Sequence, residues 1–200
     1  MPPIFVTLAA LVLAAACHTG RARGPSADSP PAARPEANSA ADTEALAGFV
    51  TQLKGYAELH NKLEKMLPPV PNETTPEVMD KHQRALAQLL EQNRKQAKRG
   101  DLFTPAGERA IRRILDEVFS GPDGAQFKST IMDENPSTVK LAINGRHSDD
   151  VPLSTMPAQL LARLPRLPEE LEYRFIGPRL ILLDAHSHTV ADYIENILPQ

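Results

Sequence analysis

One cysteine, Cys17, serves a chain of 200 residues. A lone thiol cannot close an internal disulfide or supply a Cys-x-x-Cys metal or redox pair, so the fold has to stand on its apolar core. Tryptophan is absent and aromatics reach only 4%, which leaves little from which to build a ring platform for bases or sugars. With 22 basic residues against 25 acidic ones the net charge is -3, without the basic excess of a nucleic-acid binder. No nucleic-acid partner is therefore expected. The chain also lacks Gly-x-Ser-x-Gly, a phosphate loop, His-Glu-x-x-His and Cys-x-x-Cys-His, the signatures of several large enzyme and haem classes. No catalytic residue and no organic cofactor is assigned. Whether the protein is an enzyme is left open, with a non-catalytic role expected.

What is abundant is proline, 19 residues, close to double the usual share of about 5%. The only long apolar run is Ile4–Ala16, IFVTLAALVLAAA, thirteen uncharged residues ending at Cys17. That is too short for a bilayer core of about 30 Å, which needs roughly 20 helical residues. It has the length of a signal-peptide core, with Ala14, Ala15 and Ala16 offering the slim side chains a peptidase accepts. Small residues running straight into a cysteine resemble the lipobox of bacterial lipoproteins. The resemblance implies removal of residues 1–16 as a signal peptide, acylation of Cys17, and a membrane partner held through that lipid. An ordinary secretory signal cleaved after Ala16 and an uncleaved anchor remain the alternatives, and all three place the rest of the chain outside the cytoplasm.

Residues 17–41 carry the lipid-attachment cysteine and a linker rich in proline, alanine and serine, with no Leu, Ile, Val, Phe or Tyr. Such a segment has nothing to bury and no drive to fold. Extended, it reaches at most about 80 Å, enough to let a folded domain clear a membrane.

The remainder, 42–200, reads as one α+β domain: a helical part over 42–135 and a mainly β part over 136–200. In the first, Leu46, Phe49, Val50, Leu53, Tyr56, His60, Leu63 and Leu67 repeat at helical spacing up to Pro68-Pro69. Thr75-Pro76-Glu77 starts a second helix, since a hydroxyl caps it and proline costs nothing in the first turn. Arg94, Lys95, Lys98 and Arg99 are expected as a solvated helix end, with Gly100 as its cap. Thr104-Pro105 opens a third amphipathic helix closed by Gly121-Pro122, and a weaker helical turn covers Gly124–Met132. In the second part, Val139–Ile143 alternates before Asn144-Gly145, which predicts a strand and hairpin turn. A short helix through Leu160, Leu161 and Leu164 follows. Leu171–Ile176, Leu180–Leu183 and Val190–Ile194 then form a small antiparallel β-meander, its middle strand apolar enough to be covered on both faces. The Leu-Pro-rich MPAQLLARLPRLP, LEYRFIG and LILLDA pieces resemble the C-terminal part of uncharacterised exported bacterial proteins, a resemblance that implies an exported α+β domain and no catalytic residue.

The histidines carry the candidate chemistry. Asp184-Ala-His186-Ser-His188 places two imidazoles and a carboxylate two residues apart, about 6.5 to 7 Å on one side of a strand, within reach of a shared divalent transition metal. The alternative is a polar turn, which Ser187 and Thr189 favour. His60 and His82 sit on the apolar faces of the first two helices, about 10 Å from their joint, so an antiparallel hairpin brings them level. They form either a clasp for a metal or proton, or an ordinary pair of interface histidines. His147, beside Asp149 and Asp150, reads as loop. The leading expectation is an exported, lipid-anchored cell-envelope protein with a binding or structural role and an envelope protein as possible partner. A periplasmic metal-binding or metal-sensing module using Asp184, His186 and His188 is the alternative.

Overall fold

A computed structural model of the chain describes residues 40–134, 139–148, 151, 153–154 and 156–198. Residues 1–39, which hold the expected signal segment, Cys17 and nearly all of the expected linker, lie outside the described residues. Four longer helices precede the sheet: α1 (Ala40–Glu64), α2 (Pro76–Asn93), α3 (Pro105–Phe119) and α4 (Gly124–Glu134), followed by the single turn α5 (Ala158–Leu161). Three strands complete the order, β1 (Leu171–Ile176), β2 (Arg179–Asp184) and β3 (Thr189–Ile194), as one antiparallel sheet in the order β1-β2-β3. The architecture is thus α+β, a helical part followed by a three-stranded meander. No described helix is long and apolar enough to cross a membrane.

The helices form where local chemistry asks for them. The Thr75 hydroxyl accepts from the Val78 backbone N–H at 3.4 Å, and that of Thr104 from Gly107 at 3.2 Å, so both proline-led helices are capped as their sequences predict. On α1, Phe49, Leu53, Tyr56, His60 and Leu63 are buried, a 4-3-4-3 progression that keeps one face inward. This face meets α2 through Leu86 and Leu90, and meets α3. Phe49 stacks on Phe103 with ring centroids 5.1 Å apart. At Gly107 the two helices run so close that an added Cβ would lie 3.4 Å from that of Phe49.

The sheet has two covered faces. Leu171, Tyr173, Phe175, Leu180, Leu182 and Ile194 point into the helical core, while Ile176, Ile181, Leu183 and Val190 point the other way. Every residue of β2 is buried, as expected for the apolar middle strand. At the β1–β2 turn Gly177 takes φ 54° ahead of Pro178, a glycine-then-proline order suited to the II′ hairpin turn. Between β2 and β3 the register slips, Leu182 pairing with Asp192 and Leu183 with Val190. Ala191 is the additional residue of a bulge that aims Asp192 into the helical side.

The structure corrects the expectations for residues 139–145 and for the end of α2. Val139–Ile143 is not a strand and Asn144-Gly145 does not join a hairpin. Val139 and Leu141 instead pack across the second face of the sheet, so their alternation finds burial without extending a ladder. The turn itself exists, with Asn144 at φ 60°. It docks on β3, where Asn144 N–H donates to the Val190 carbonyl at 2.8 Å and Val190 N–H to that of Gly145 at 2.9 Å. After α2, Lys95, Lys98 and Arg99 are exposed as expected, and Arg94 is the exception. Arg94 is half-buried, lies 4.8 Å from the centre of the Tyr56 ring and donates to Asn144 and the Ala191 carbonyl. Gly100, at φ 88°, lies beyond the end of α2 and is a loop residue rather than its cap.

Candidate metal centre

Helix α1 and the β2–β3 turn converge on Asp184. Its side chain is 0% exposed, and each of its two oxygens has a separate task. Oδ2 accepts from the Tyr56 hydroxyl at 2.7 Å and from His60 Nδ1–H at 2.6 Å. Oδ1 accepts from the backbone N–H groups of His186 (3.1 Å) and Ser187 (2.8 Å), which folds the chain after β2 into a turn in the manner of an aspartate-led turn. One carboxylate therefore sets both the ring orientation of His60 and the position of His186.

With His60 Nδ1 committed to Asp184, Nε2 faces the opposite way. It lies 3.2 Å from His186 Nδ1 and 3.4 Å from Glu64 Oε2, while His186 Nδ1 lies 3.3 Å from the same Oε2. His60, Glu64 and His186 thus form a group whose ligating atoms lie close enough to share one ion. Zinc bonds of 2.0 to 2.1 Å in tetrahedral geometry require donors about 3.3 Å apart, and all three separations fall at that value. A carboxylate–histidine pair behind a metal-facing nitrogen is the usual outer-shell support of such sites, fixing the tautomer and raising ligand basicity.

Glu64 supports the same reading from electrostatics. It is the last residue of α1, where the helix dipole disfavours a negative charge. Its compensation is a ring of imidazoles: His60 and His186 as above, and His82 of α2, whose Nε2 lies 3.5 Å from Oε1. The burial gradient points outward, from His60 at 0% to Glu64 at 29% and His186 at 42% exposed, so the cluster has a buried root and a solvent-facing mouth.

Ionisation follows from the same contacts. Burial acts most strongly on Asp184 and pushes its carboxyl up. The hydrogen bond and positive charge of His60, with bonds from Tyr56 and Ser187, outweigh it and hold the group below its usual range. Burial likewise disfavours a charged His60, yet Asp184, Glu64 and Glu170 together raise it above its ordinary value. Tyr56 is held well up, by burial and by the Asp184 carboxylate it faces. The contacts that favour a second proton on His60 also favour a cation at Nε2, so proton and metal compete for that nitrogen.

Of the residues marked in the sequence, Asp184 and His186 come together, but Asp184 meets the cluster as the partner of His60. His188 is not part of the group. The chain leaves β2 at Asp184 and turns through 185–188, so the strand geometry that would align His186 with His188 does not continue. His188 sits at φ 54°, and its carbonyl accepts from His147 N–H at 2.7 Å. His60 and His82 both turn toward one site, as the helical hairpin predicts, with Glu64 between them. His147 is a buried loop residue whose Nε2 bonds the Val151 carbonyl at 2.8 Å. Glu64 and Tyr56 are the residues sequence reasoning missed. The available signal for Glu64 was an acid four residues after a histidine at the unfavourable end of a helix.

Compared with known protein families, curated proteins and solved structures, the chain has no match.

Proposed function

We propose that this protein is an exported, lipid-anchored cell-envelope protein whose tethered α+β domain binds one divalent transition metal through His60, Glu64 and His186 in a non-catalytic role. The observation that carries the metal reading is the close approach of three donors, each pair separated by 3.2 to 3.4 Å, with Asp184 orienting the most buried of them. Two imidazoles and one carboxylate match zinc, nickel or cobalt better than calcium or magnesium, which take all-oxygen sets. Anchoring is supported by the apolar Ile4–Ala16 run ending in small residues at Cys17 and by the unfoldable composition of the linker.

The test is a titration of the chelator-treated full chain with zinc, nickel and cobalt, read by thermal unfolding and by stoichiometry. One equivalent is expected to bind. At a hundred times the dissociation constant the native state gains about 2.7 kcal/mol, and His60→Ala, Glu64→Ala or His186→Ala each remove the gain. No shift with any of the metals overturns the metal reading. Intact mass of protein extracted from membranes tests the anchor, since acylation adds lipid mass at Cys17 that plain cleavage does not.

A further inference from the structure

The two carboxylate oxygens of Glu64 have different neighbours. Oε2 lies 3.4 Å from His60 Nε2 and 3.3 Å from His186 Nδ1, so it is the oxygen placed to share an ion with both. Oε1 lies 3.1 Å from His186 Nδ1 and 3.5 Å from Nε2 of His82, on α2. Among the described residues these are the two polar side chains that reach Oε1. Once His186 gives its Nδ1 lone pair to an ion, that nitrogen carries no proton, and His82 is left as the donor to Oε1. His82 stands outside the donor group itself and meets it at Glu64.

We infer that His82 makes the site select zinc: from behind Glu64 its Nε2–H holds Oε1, keeps Glu64 bound through Oε2 alone, and so limits the ion to four ligands. This rests on the proposed metal site and names its ion. An unheld Oε1 can turn onto the ion as a second bond, the two-oxygen mode familiar at calcium. Three protein donors and one water make the tetrahedron that zinc takes, whereas a further oxygen moves the set toward the geometries of nickel. Glu64 and Asp184, kept ionised by His60, already match the two charges of the ion, so the open position takes neutral water. The 3.5 Å separation lies at the long end for an N–H···O bond, and a small rotation of the carboxylate about its broad last torsion closes it. His82 is 13% exposed, which shelters that bond from competing water. Each ligand on α1 then has a partner from another element, Asp184 of β2 behind His60 and His82 of α2 behind Glu64.

The experiment compares the full chain with His82→Ala and His82→Gln, each titrated with zinc and nickel and each loaded with cobalt(II), whose visible bands weaken sharply when a fifth ligand joins four. In His82→Ala zinc affinity is expected to fall about 10- to 100-fold, the preference for zinc over nickel to narrow, and the cobalt bands to weaken. His82→Gln, whose side-chain amide N–H reaches Oε1 from nearly the same place, restores the bands and the preference. Cobalt bands unchanged in His82→Ala overturn the inference even if affinity falls, because loss of packing between α1 and α2 would then account for it. In the proton spectrum of the cobalt-loaded native chain, His60 and His186 each contribute one strongly shifted ring N–H. A further such resonance, lost in His82→Ala, makes His82 a ligand and overturns the inference while leaving the metal site standing. A native chain that develops no cobalt bands overturns the metal reading itself and this inference with it.

Discussion

Asp184 and Asp192 stand on adjacent strands, both 0% exposed and both on the helical side of the sheet, yet their surroundings differ in kind. Asp192 is wired to backbone: it accepts from the N–H groups of Gly100 (3.0 Å), Leu102 (2.9 Å) and Phe103 (2.8 Å), and from Tyr193 N–H at 2.8 Å. Asp184 is wired on one side to a turn and on the other to two titratable side chains, Tyr56 and His60. Burial dominates at Asp192 and raises its carboxyl, although each backbone bond opposes it. At Asp184 an ionisable partner reverses the outcome and the carboxyl is lowered. A buried carboxylate that meets only backbone stitches a loop in place. One that meets a histidine also sets a charge, and so can serve a site.

The largest effect that sharpens this contrast is structural. Asp192→Ala leaves three loop N–H groups of residues 100–103 without their acceptor, at a cost of roughly 3 to 5 kcal/mol. Urea unfolding should record that loss, while metal affinity of the folded fraction stays that of the native chain. Next in size is Asp184→Asn, which keeps the shape but offers His60 Nδ1 a weaker, neutral acceptor. Loss of such an outer-shell partner lowers metal affinity about 10- to 100-fold. The His60 ring nitrogen resonances report directly whether Nδ1 still carries the proton. Equal metal affinity in Asp184→Asn and the native chain would erase the distinction between the two aspartates.

A smaller test uses pH on the metal-free chain. Asp192, raised in the folded state, contributes stability that is full below the ordinary carboxylate value and is lost as pH rises through its folded value. Asp184, lowered, contributes stability present above the ordinary value and lost as pH falls through its folded value. The stability of native chain minus Asp192→Asn should therefore decline with rising pH, and that of native chain minus Asp184→Asn should climb. Denaturant melts across the carboxylate range measure both, and slopes of the same sign would contradict the assignment.

What could be read from sequence divides along the range of the interactions. Thr75 and Thr104 cap their helices, and Leu171–Ile176 and the β2 run fall where period and turn residues put them, because each decision is settled within a few neighbours. Val139–Ile143 fails for the converse reason. Its alternation is genuine, but whether Val139 and Leu141 extend a ladder or lie across Ile181 and Leu183 is decided by a face assembled some forty residues later. The site shows the same boundary. His60, His82, Asp184 and His186 each stand out locally, but the bonds that join α1 to the turn span 122 to 128 positions, and no periodicity encodes such a pairing. Ala191 illustrates it again, since one bulged residue turns Asp192 toward the loop at 100–103 and nothing in VADYI announces it.

The smallest expected effect concerns His188, two residues from a ligand and the residue the strand reading would have paired with it. Its backbone lies at φ 54°, the left-handed region where a side chain costs energy and glycine does not. His188→Gly relieves that conformation, but it gives the unfolded chain more freedom and removes the side chain's own interaction, so stability should fall, by no more than about 1 kcal/mol. Its backbone still accepts from His147, and Asp184 still holds the start of the turn through His186 and Ser187. Metal affinity should then stay within roughly twofold of the native chain, against the complete loss expected for His186→Ala. A large fall in affinity for His188→Gly would mean that position 186 is set by the far end of the turn as well, and that Asp184 does not place it alone.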